Sequence, residues 1–376
     1  MRAILLLIAV MISYGSLYPF HFAANHHWLA EAAGLFSMPT LRMGRGDLVG
    51  NLLLFVPYGL VAALHVDTRR PVRASGTLAL LLGLGLLLAL ALQLAQIWVP
   101  SRVPELNDVI ANGVGMLLGT LAGWVARSLF PNAAMQLPRA LAPAMLMLLW
   151  IGYQWAPLVP TLDLQNISNA LKPLVRSPQV DAVRALHTTL AWLAFFKLWE
   201  LAAGKTLSTP VMAMAALGIV GAKLFIVGAS ISATNALALG LALVCLPWRQ
   251  HAMAVPVLSI AMFISLAASG LAPYEPLGQA QAFHWIPFTG MLQGSMGTNL
   301  LNLAEKSFFY GALIMLIGAP LSGPLAAAGM VAFFLGLIEA AQLFLPGRVA
   351  ESTDPVLALI LGLVILPFFV TFLIRT

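Results

Sequence analysis

The sequence predicts an all-α integral membrane protein of about twelve transmembrane helices, arranged as three four-helix units with short interfacial segments. Three observations carry this prediction. The chain is 61% hydrophobic and only 9% charged over 376 residues, with a mean hydropathy of +0.93, which lies outside the range of soluble globular domains. Apolar runs such as 77–95, 212–226 and 355–374 recur along its length, each close to the ~20 residues that a helix needs to cross about 30 Å of hydrocarbon. Finally, one short polar hairpin occurs twice in register, with a divergent copy between.

The first hairpin runs Gln96-IWVPSRVPELN-Asp108 and the second Gln342-LFLPGRVAEST-Asp354. Gln96 and Gln342, Pro100 and Pro346, Arg102 and Arg348, Glu105 and Glu351, and Asp108 and Asp354 are all separated by the same 246 residues. Lys223-LFIVGASISAT-Asn235 lies in the same frame, 127 residues after the first copy, and keeps the apolar pattern without the proline, the arginine or the acids. A repeat at fixed spacing sets architecture. The units read as 1–131, 139–250 and 251–376.

Each unit begins with an apolar helix that ends in a Pro/aromatic cluster: Leu17-YPF, Tyr153-QWAPLVP and Leu271-APYEP. A partly polar connection follows (20–45, 161–183 and 275–298), and then three closely spaced helices, the last two joined by the hairpin. Pro39 and Pro287 each precede an asparagine, Asn51 or Asn299, by the same twelve residues. Pro131-Asn132 and Pro247-Trp248-Arg249 punctuate the unit boundaries. In the first connection Trp28, Leu29, Leu35 and Phe36 fall near one face, as in a helix lying in the headgroup layer or against the protein core. The N-terminal Met1-Arg2 and its apolar run resemble a signal peptide without a small-residue cleavage site, so a retained first helix is expected.

Lys and Arg are nearly balanced between the two sets of loops. The cluster Arg69-Arg70-Pro71-Val72-Arg73, in a short loop beside strong spans, tips the orientation. Both termini are then cytoplasmic and the hairpins face outward. The basic residues form no aromatic-interleaved patch, which argues against nucleic-acid binding. The one cysteine, Cys245, excludes an intramolecular disulfide.

Chemistry concentrates in the hairpins. Gln93 and Gln96 end one helix, Arg102 lies in the turn, and Glu105, Asp108 and Asn112 open the next helix, with Asp108 where a carboxylate meets the positive end of the dipole. The short turn should bring Arg102 back to pair with Asp108 or Glu105. The second copy carries Glu339, Gln342, Arg348, Glu351 and Asp354, with Glu339 in place of Gln93. Two readings stand. The groups pin a turn and satisfy helix ends, or they form a small pocket in which Arg102 and Arg348 bind an anionic or hydroxyl-rich headgroup. Gly115, Gly119 and Gly123 suit close helix packing. Asp181, Arg184 and His187 suit a loop anchor, and Lys197 and Glu200 an ion pair. His21, His26 and His27 lack the acids or cysteines of a metal site, and no cofactor motif occurs.

These residues resemble the VanZ-like family of bacterial membrane proteins. The family's pattern Q-x3-P-x-R-x5-D-x3-N-x2-G stands here as Gln96, Pro100, Arg102, Asp108, Asn112 and Gly115, with NLLLFVPYG from Asn51 to Gly59 upstream. The third unit matches through Glu339, Gln342, Pro346, Gly347, Arg348 and Asp354, with EKSFFYG from Glu305 to Gly311 upstream, and departs at Ala358 and Leu361. The resemblance covers about 1–130 and 251–376. It implies a multi-pass protein of the bacterial inner membrane that binds or shields an envelope lipid or lipid-linked cell-wall precursor at the outer leaflet, in the context of glycopeptide (teicoplanin) resistance. It implies no reaction. A transporter or flippase, or a membrane-embedded enzyme using Asp108 or Glu351 as acid or base, are the alternatives.

Overall fold

The computed structural model describes residues 2–18, 20–35, 45–66, 71–129, 133–176, 178–293 and 296–373. Pro19, Phe36, Pro39, Arg69, Arg70, Pro131 and Asn132, which bear on the expectations above, lie outside the described residues. The described chain is helical and contains no strand, only two isolated bridges. It divides into two compact units, Met1–Met135 and Gln136–Thr376.

The first unit holds α1 (Arg2–Leu17), α2 (Trp28–Leu35), α3 (Arg45–His65), α4 (Pro71–Gln96) and α5 (Leu106–Leu129). The second holds most of α6 (Ala133–Trp155), then α7 (Leu164–Arg176), α8 (Ala182–Ala203), α9 (Thr209–Gly221), α10 (Ala233–Cys245), α11 (Ala254–Leu271), α12 (Thr289–Gln293), α13 (Met296–Gly318), α14 (Pro324–Gln342) and α15 (Thr353–Leu373). Five stretches are long and apolar enough to cross a membrane: Val72–Gln96, Leu106–Val125, Ala254–Leu271, Gly297–Gly318 and Pro324–Gln342. Five shorter apolar helices accompany them. Leu80, Leu84 and Leu87 on α4 and Leu117, Leu121 and Trp124 on α5 are exposed, a surface that water would not tolerate and hydrocarbon solvates. The chain is a multi-pass membrane protein.

Between apolar helices in lipid there is little hydrophobic drive to associate, so close contact relies on small residues. The α3–α5 seam shows this. A Cβ added at Gly115 would stand 2.1 Å from the Leu52 carbonyl oxygen, one at Gly119 2.1 Å from that of Val56, and one at Gly59 2.0 Å from that of Met116. The two backbones are in direct contact. Thr120, beside the seam, satisfies its hydroxyl on the Met116 carbonyl at 2.8 Å. Phe55, Tyr58, Ala62, Ala89 and Met116 fill the core around this seam.

The second unit is built around α8. Trp192, Phe195 and Phe196 from α8, Trp150 from α6 and Phe308 from α13 are almost wholly buried, with Trp150 stacked on Phe308 at 4.9 Å and edge-on to Trp192 at 5.9 Å. At the far end of α8, Arg249 and Glu200 form a buried ion pair at 3.0 Å. Three more guanidinium protons go to the Thr209 hydroxyl and the Leu246 and Leu207 carbonyls. Lys197 reaches the same carboxylate at 3.4 Å, the pair its spacing suggested.

One local pattern occurs three times. After α1, α6 and α11 the chain turns through a left-handed residue, Phe20 (φ 63°), Leu158 (φ 65°) or Tyr274 (φ 64°). The amide of each donates to the carbonyl three residues back: Leu17 at 2.9 Å, Trp155 at 2.7 Å and Leu271 at 2.9 Å. Three residues further on, the amides of Ala23, Thr161 and Leu277 donate to the carbonyls of Trp98, Phe225 and Phe344. Those acceptors are the second residues after Gln96, Lys223 and Gln342. Non-glycine residues at positive φ persist where the surroundings fix them, and here each is held between a helix end and a hairpin. The short helices α2, α7 and α12 follow within the three connections.

The α3–α5 seam yields a direct prediction. Gly119→Val drives a side chain into the α3 backbone and should cost at least about 2–3 kcal/mol, seen as a lowered melting temperature of the detergent-purified protein. Gly83→Ala on α4, where nothing lies within 4 Å, should leave the melting temperature unchanged.

Candidate functional site

In the first unit the hairpin residues bond to helix ends. The Gln93 side chain bridges the turn: its Oε1 accepts from the Glu105 amide at 3.0 Å and its Nε2 donates to Asp108 Oδ2 at 3.1 Å. Asn51 Nδ2 on α3 donates to the other Asp108 oxygen at 2.8 Å. Gln96 Nε2 crosses to the Ser16 carbonyl at 2.9 Å. The expected pairing of Arg102 with Asp108 or Glu105 does not form. Arg102 instead donates from Nε to the Tyr18 carbonyl at 3.2 Å and from Nη2 to that of Gly15 at 3.3 Å. The physical reason is that the last carbonyls of α1 lack intrahelical donors and carry the negative end of the helix dipole, so a guanidinium placed over them finds acceptors that nothing else serves. Asn112, one turn beyond Asp108, is 4% exposed, and its Oδ1 has no partner among the described residues.

The second hairpin repeats these bonds. Glu339 Oε2 accepts from the Glu351 amide at 2.9 Å, as Gln93 does from Glu105. Gln342 Nε2 donates to the Gly270 carbonyl at 3.0 Å. Arg348 donates to the carbonyls of Ala272 at 2.8 Å and Ser269 at 2.7 Å at the end of α11. What differs is the clamp on the aspartate. Asp354 accepts from Lys306 Nζ at 2.6 Å and from the Tyr310 hydroxyl at 2.8 Å, both on α13. Among the described residues the first hairpin's acid takes two amide donors, the second's an ammonium and a phenol. One oxygen of Glu351, Oε2, is buried without a hydrogen-bond partner among the described residues.

Beside the second hairpin lies a cavity of about 620 Å³ within the Gln136–Thr376 unit, in the volume range of small-molecule sites. Of the hairpin site residues it takes in Gln342, Arg348 and Asp354, and of the expected loop anchor Asp181, Arg184 and His187 at the start of α8. Glu305, Lys306 and Tyr310 on α13 complete its polar wall together with Asn302 and Ser269. Arg184 Nη2 pairs with Glu305 Oε1 at 2.8 Å. Arg184 also donates to the Tyr153 hydroxyl. His187 stacks on Phe309 with ring centroids 4.0 Å apart and exchanges a hydrogen bond with Ser265 at 3.0 Å. Asp181 caps α8 by accepting from the Arg184 amide at 3.0 Å, the anchoring role its position suggested.

The wall therefore alternates cations and carboxylates, Arg184 with Glu305 and Lys306 with Asp354, each partnered across two helices. Such a wall suits a ligand that is itself both anionic and hydroxylated. The sequence reading passed over Glu305, Lys306 and Tyr310 as site residues. The available signal was the pair Glu305-Lys306 inside an otherwise apolar helix, since a charge within a spanning segment is costly unless partnered or in use.

The arginines generate a prediction of their own. Arg348 is half-buried and Arg102 exposed, so Arg348→Ala should lower stability by about 2–3 kcal/mol, in the range for hydrogen bonds to charged groups, and Arg102→Ala should lower it less. Arg348→Lys should not restore it, because a single ammonium lacks the fork that spans two carbonyls. Thermal denaturation in detergent measures all three. Equal losses for the two alanine variants would contradict the assignment.

No curated protein and no solved structure matches the chain. The family model VanZ/LLP1 matches residues 4–127, a span that holds nearly all of α1, then α2 to α4, the first hairpin and nearly all of α5, so the N-terminal third of the chain is similar to that family.

Proposed function

We propose that this protein crosses the bacterial inner membrane with twelve helices in three units, 1–131, 139–250 and 251–376, and holds the polar headgroup of an envelope lipid or lipid-linked glycan precursor in the 620 Å³ cavity of its second compact unit. Adding α8 and α10 to the ten apolar helices gives the twelve. The repeated left-handed turns and hairpin bonds support the three units. The slight excess of Lys and Arg around 69–73 supports cytoplasmic termini and outward hairpins.

The observation that carries the binding reading is the cavity wall of matched ion pairs. A phosphate takes the place of a carboxylate on Lys306 or Arg184, while Asp354 and Glu305, so released, accept from sugar or glycerol hydroxyls. Each exchange replaces one charge-assisted bond by another. Binding therefore avoids the large cost of uncovering an ion in a low-dielectric site. A wall of one sign would favour a bare ion; a wall of both signs favours a ligand carrying phosphate and hydroxyls together. The similarity to the VanZ/LLP1 family supports an envelope setting, with shielding of a cell-wall precursor as the contribution to glycopeptide resistance.

Native mass spectrometry of the detergent-purified protein tests this reading. The wild type should retain a phosphate-bearing lipid or lipid-linked precursor. Lys306→Gln/Asp354→Asn, which removes one ion pair as a unit, should retain at least tenfold less while its melting temperature stays within a few degrees. Undiminished retention by the double variant would sink the proposal.

A further inference from the structure

A second cavity of about 250 Å³ opens on the other side of Arg184 in the same unit. It is lined by Tyr153 and Gln154 from the end of α6, Arg184 and Thr188 from α8, Lys223 from the middle hairpin, and Asn235 from the first turn of α10. Among the described residues no aspartate or glutamate lines it. The larger cavity balances its charges, whereas this one carries two cations and no acid.

Three of its side chains are more than nine-tenths buried: Lys223 at 7% exposure, Gln154 at 6% and Thr188 at 4%. None of the three makes a side-chain hydrogen bond or ion pair among the described residues. Buried polar groups in native proteins are nearly always satisfied, and a largely buried ammonium with no counter-ion among the described residues, reached only through the cavity, carries a desolvation cost. Lys223, Gln154 and Thr188 converge on one space from three elements. A ligand that accepts from all of them removes the cost at once.

The hairpin frame explains how this space came to be cationic. Lys223 occupies the position of Gln96 and Gln342, and Asn235 that of Asp108 and Asp354. An amide has become an ammonium and a carboxylate an amide. Relative to the other two hairpins, the middle one has gained a positive charge and lost a negative one at two positions that line this cavity. Arg184 is already engaged by Glu305 and Tyr153, so it adds field, and Lys223 supplies the uncommitted charge.

We propose that this cavity binds a phosphate-class oxyanion, either free phosphate or the phosphomonoester of a lipid, with Lys223 as its principal cation and Gln154, Thr188 and Asn235 as hydrogen-bond donors. At 250 Å³ it falls below the ~300 Å³ lower end of drug-sized sites, which fits one tetrahedral oxyanion rather than a whole headgroup with its sugar.

The test measures thermal shift and calorimetric binding on the full-length protein. In uncharged detergent it is titrated with inorganic phosphate against a chloride control. In phosphatidylcholine nanodiscs it is compared with and without phosphatidic acid. A saturable stabilisation by phosphate identifies a soluble oxyanion, and stabilisation only in phosphatidic acid nanodiscs identifies a lipid phosphomonoester. In either case Lys223→Gln, which installs the residue found at 96 and 342, should weaken the effect at least tenfold. Asn235→Asp, which returns the missing acid, should do the same and serves if the first variant does not fold. Lys306→Gln/Asp354→Asn should leave it unchanged, which separates this site from the larger cavity. Stabilisation that persists in Lys223→Gln and Asn235→Asp, or no stabilisation by any of these probes, overturns the proposal.

Discussion

The last carbonyls of a helix have no intrahelical donors. In this protein the need is met from a neighbouring hairpin. Gln96 and Arg102 serve the end of α1, and Gln342 and Arg348 serve the end of α11 with the same atoms. The rest of the polar structure follows from that assignment. With the arginines committed to backbone oxygens, the aspartates that open α5 and α15 take partners from α3 and α13. Those partners decide the chemical character of each site. Asn51 and Gln93 each give Asp108 an amide donor, while Lys306 and Tyr310 place a charged pair on the wall of a cavity.

The same constraint governs the apolar seams. Where no hydrophobic force gathers helices, α3 and α5 approach until glycine Cα atoms meet carbonyl oxygens. Where a charge must be buried, it is enclosed completely, as Arg249 is by Glu200, Thr209, Leu207 and Leu246. Against this background of satisfied groups the unsatisfied ones stand out. Asn112 Oδ1 and Glu351 Oε2 in the hairpins are buried without partners among the described residues, and Lys223, Gln154 and Thr188 around the smaller cavity have side chains that bond to nothing else described.

Much of this was legible in the sequence, because the signals were local. Composition sufficed for a membrane protein, fixed spacing placed Gln, Arg, Glu and Asp at matching positions of two hairpins, and the spacing of Gly115, Gly119 and Gly123 pointed to a packed seam. The pairing of Arg102 was misjudged since proximity along the chain favoured Asp108, whereas the competing acceptors on α1 lie more than eighty residues away in sequence. The larger cavity was only half visible for a similar reason. Arg348 and Asp354 belong to the repeated hairpin, but Arg184, Glu305 and Lys306 meet them only once α8 packs beside α11 and α13. Lys223 was read as decay of a motif. Its meaning appears once the structure shows it buried, uncommitted and facing a cavity with no acid.

The central claim is that the large cavity of the second unit is a phosphate-bearing headgroup site rather than a structural void closed by ion pairs. A high-resolution map of the full-length protein in nanodiscs of native membrane lipid tests it most directly. The account predicts tetrahedral density within hydrogen-bonding distance of Lys306 Nζ or the Arg184 guanidinium, continuous with an acyl or polyprenyl chain. A map in which Lys306–Asp354 and Arg184–Glu305 remain paired and the cavity holds only water would contradict it.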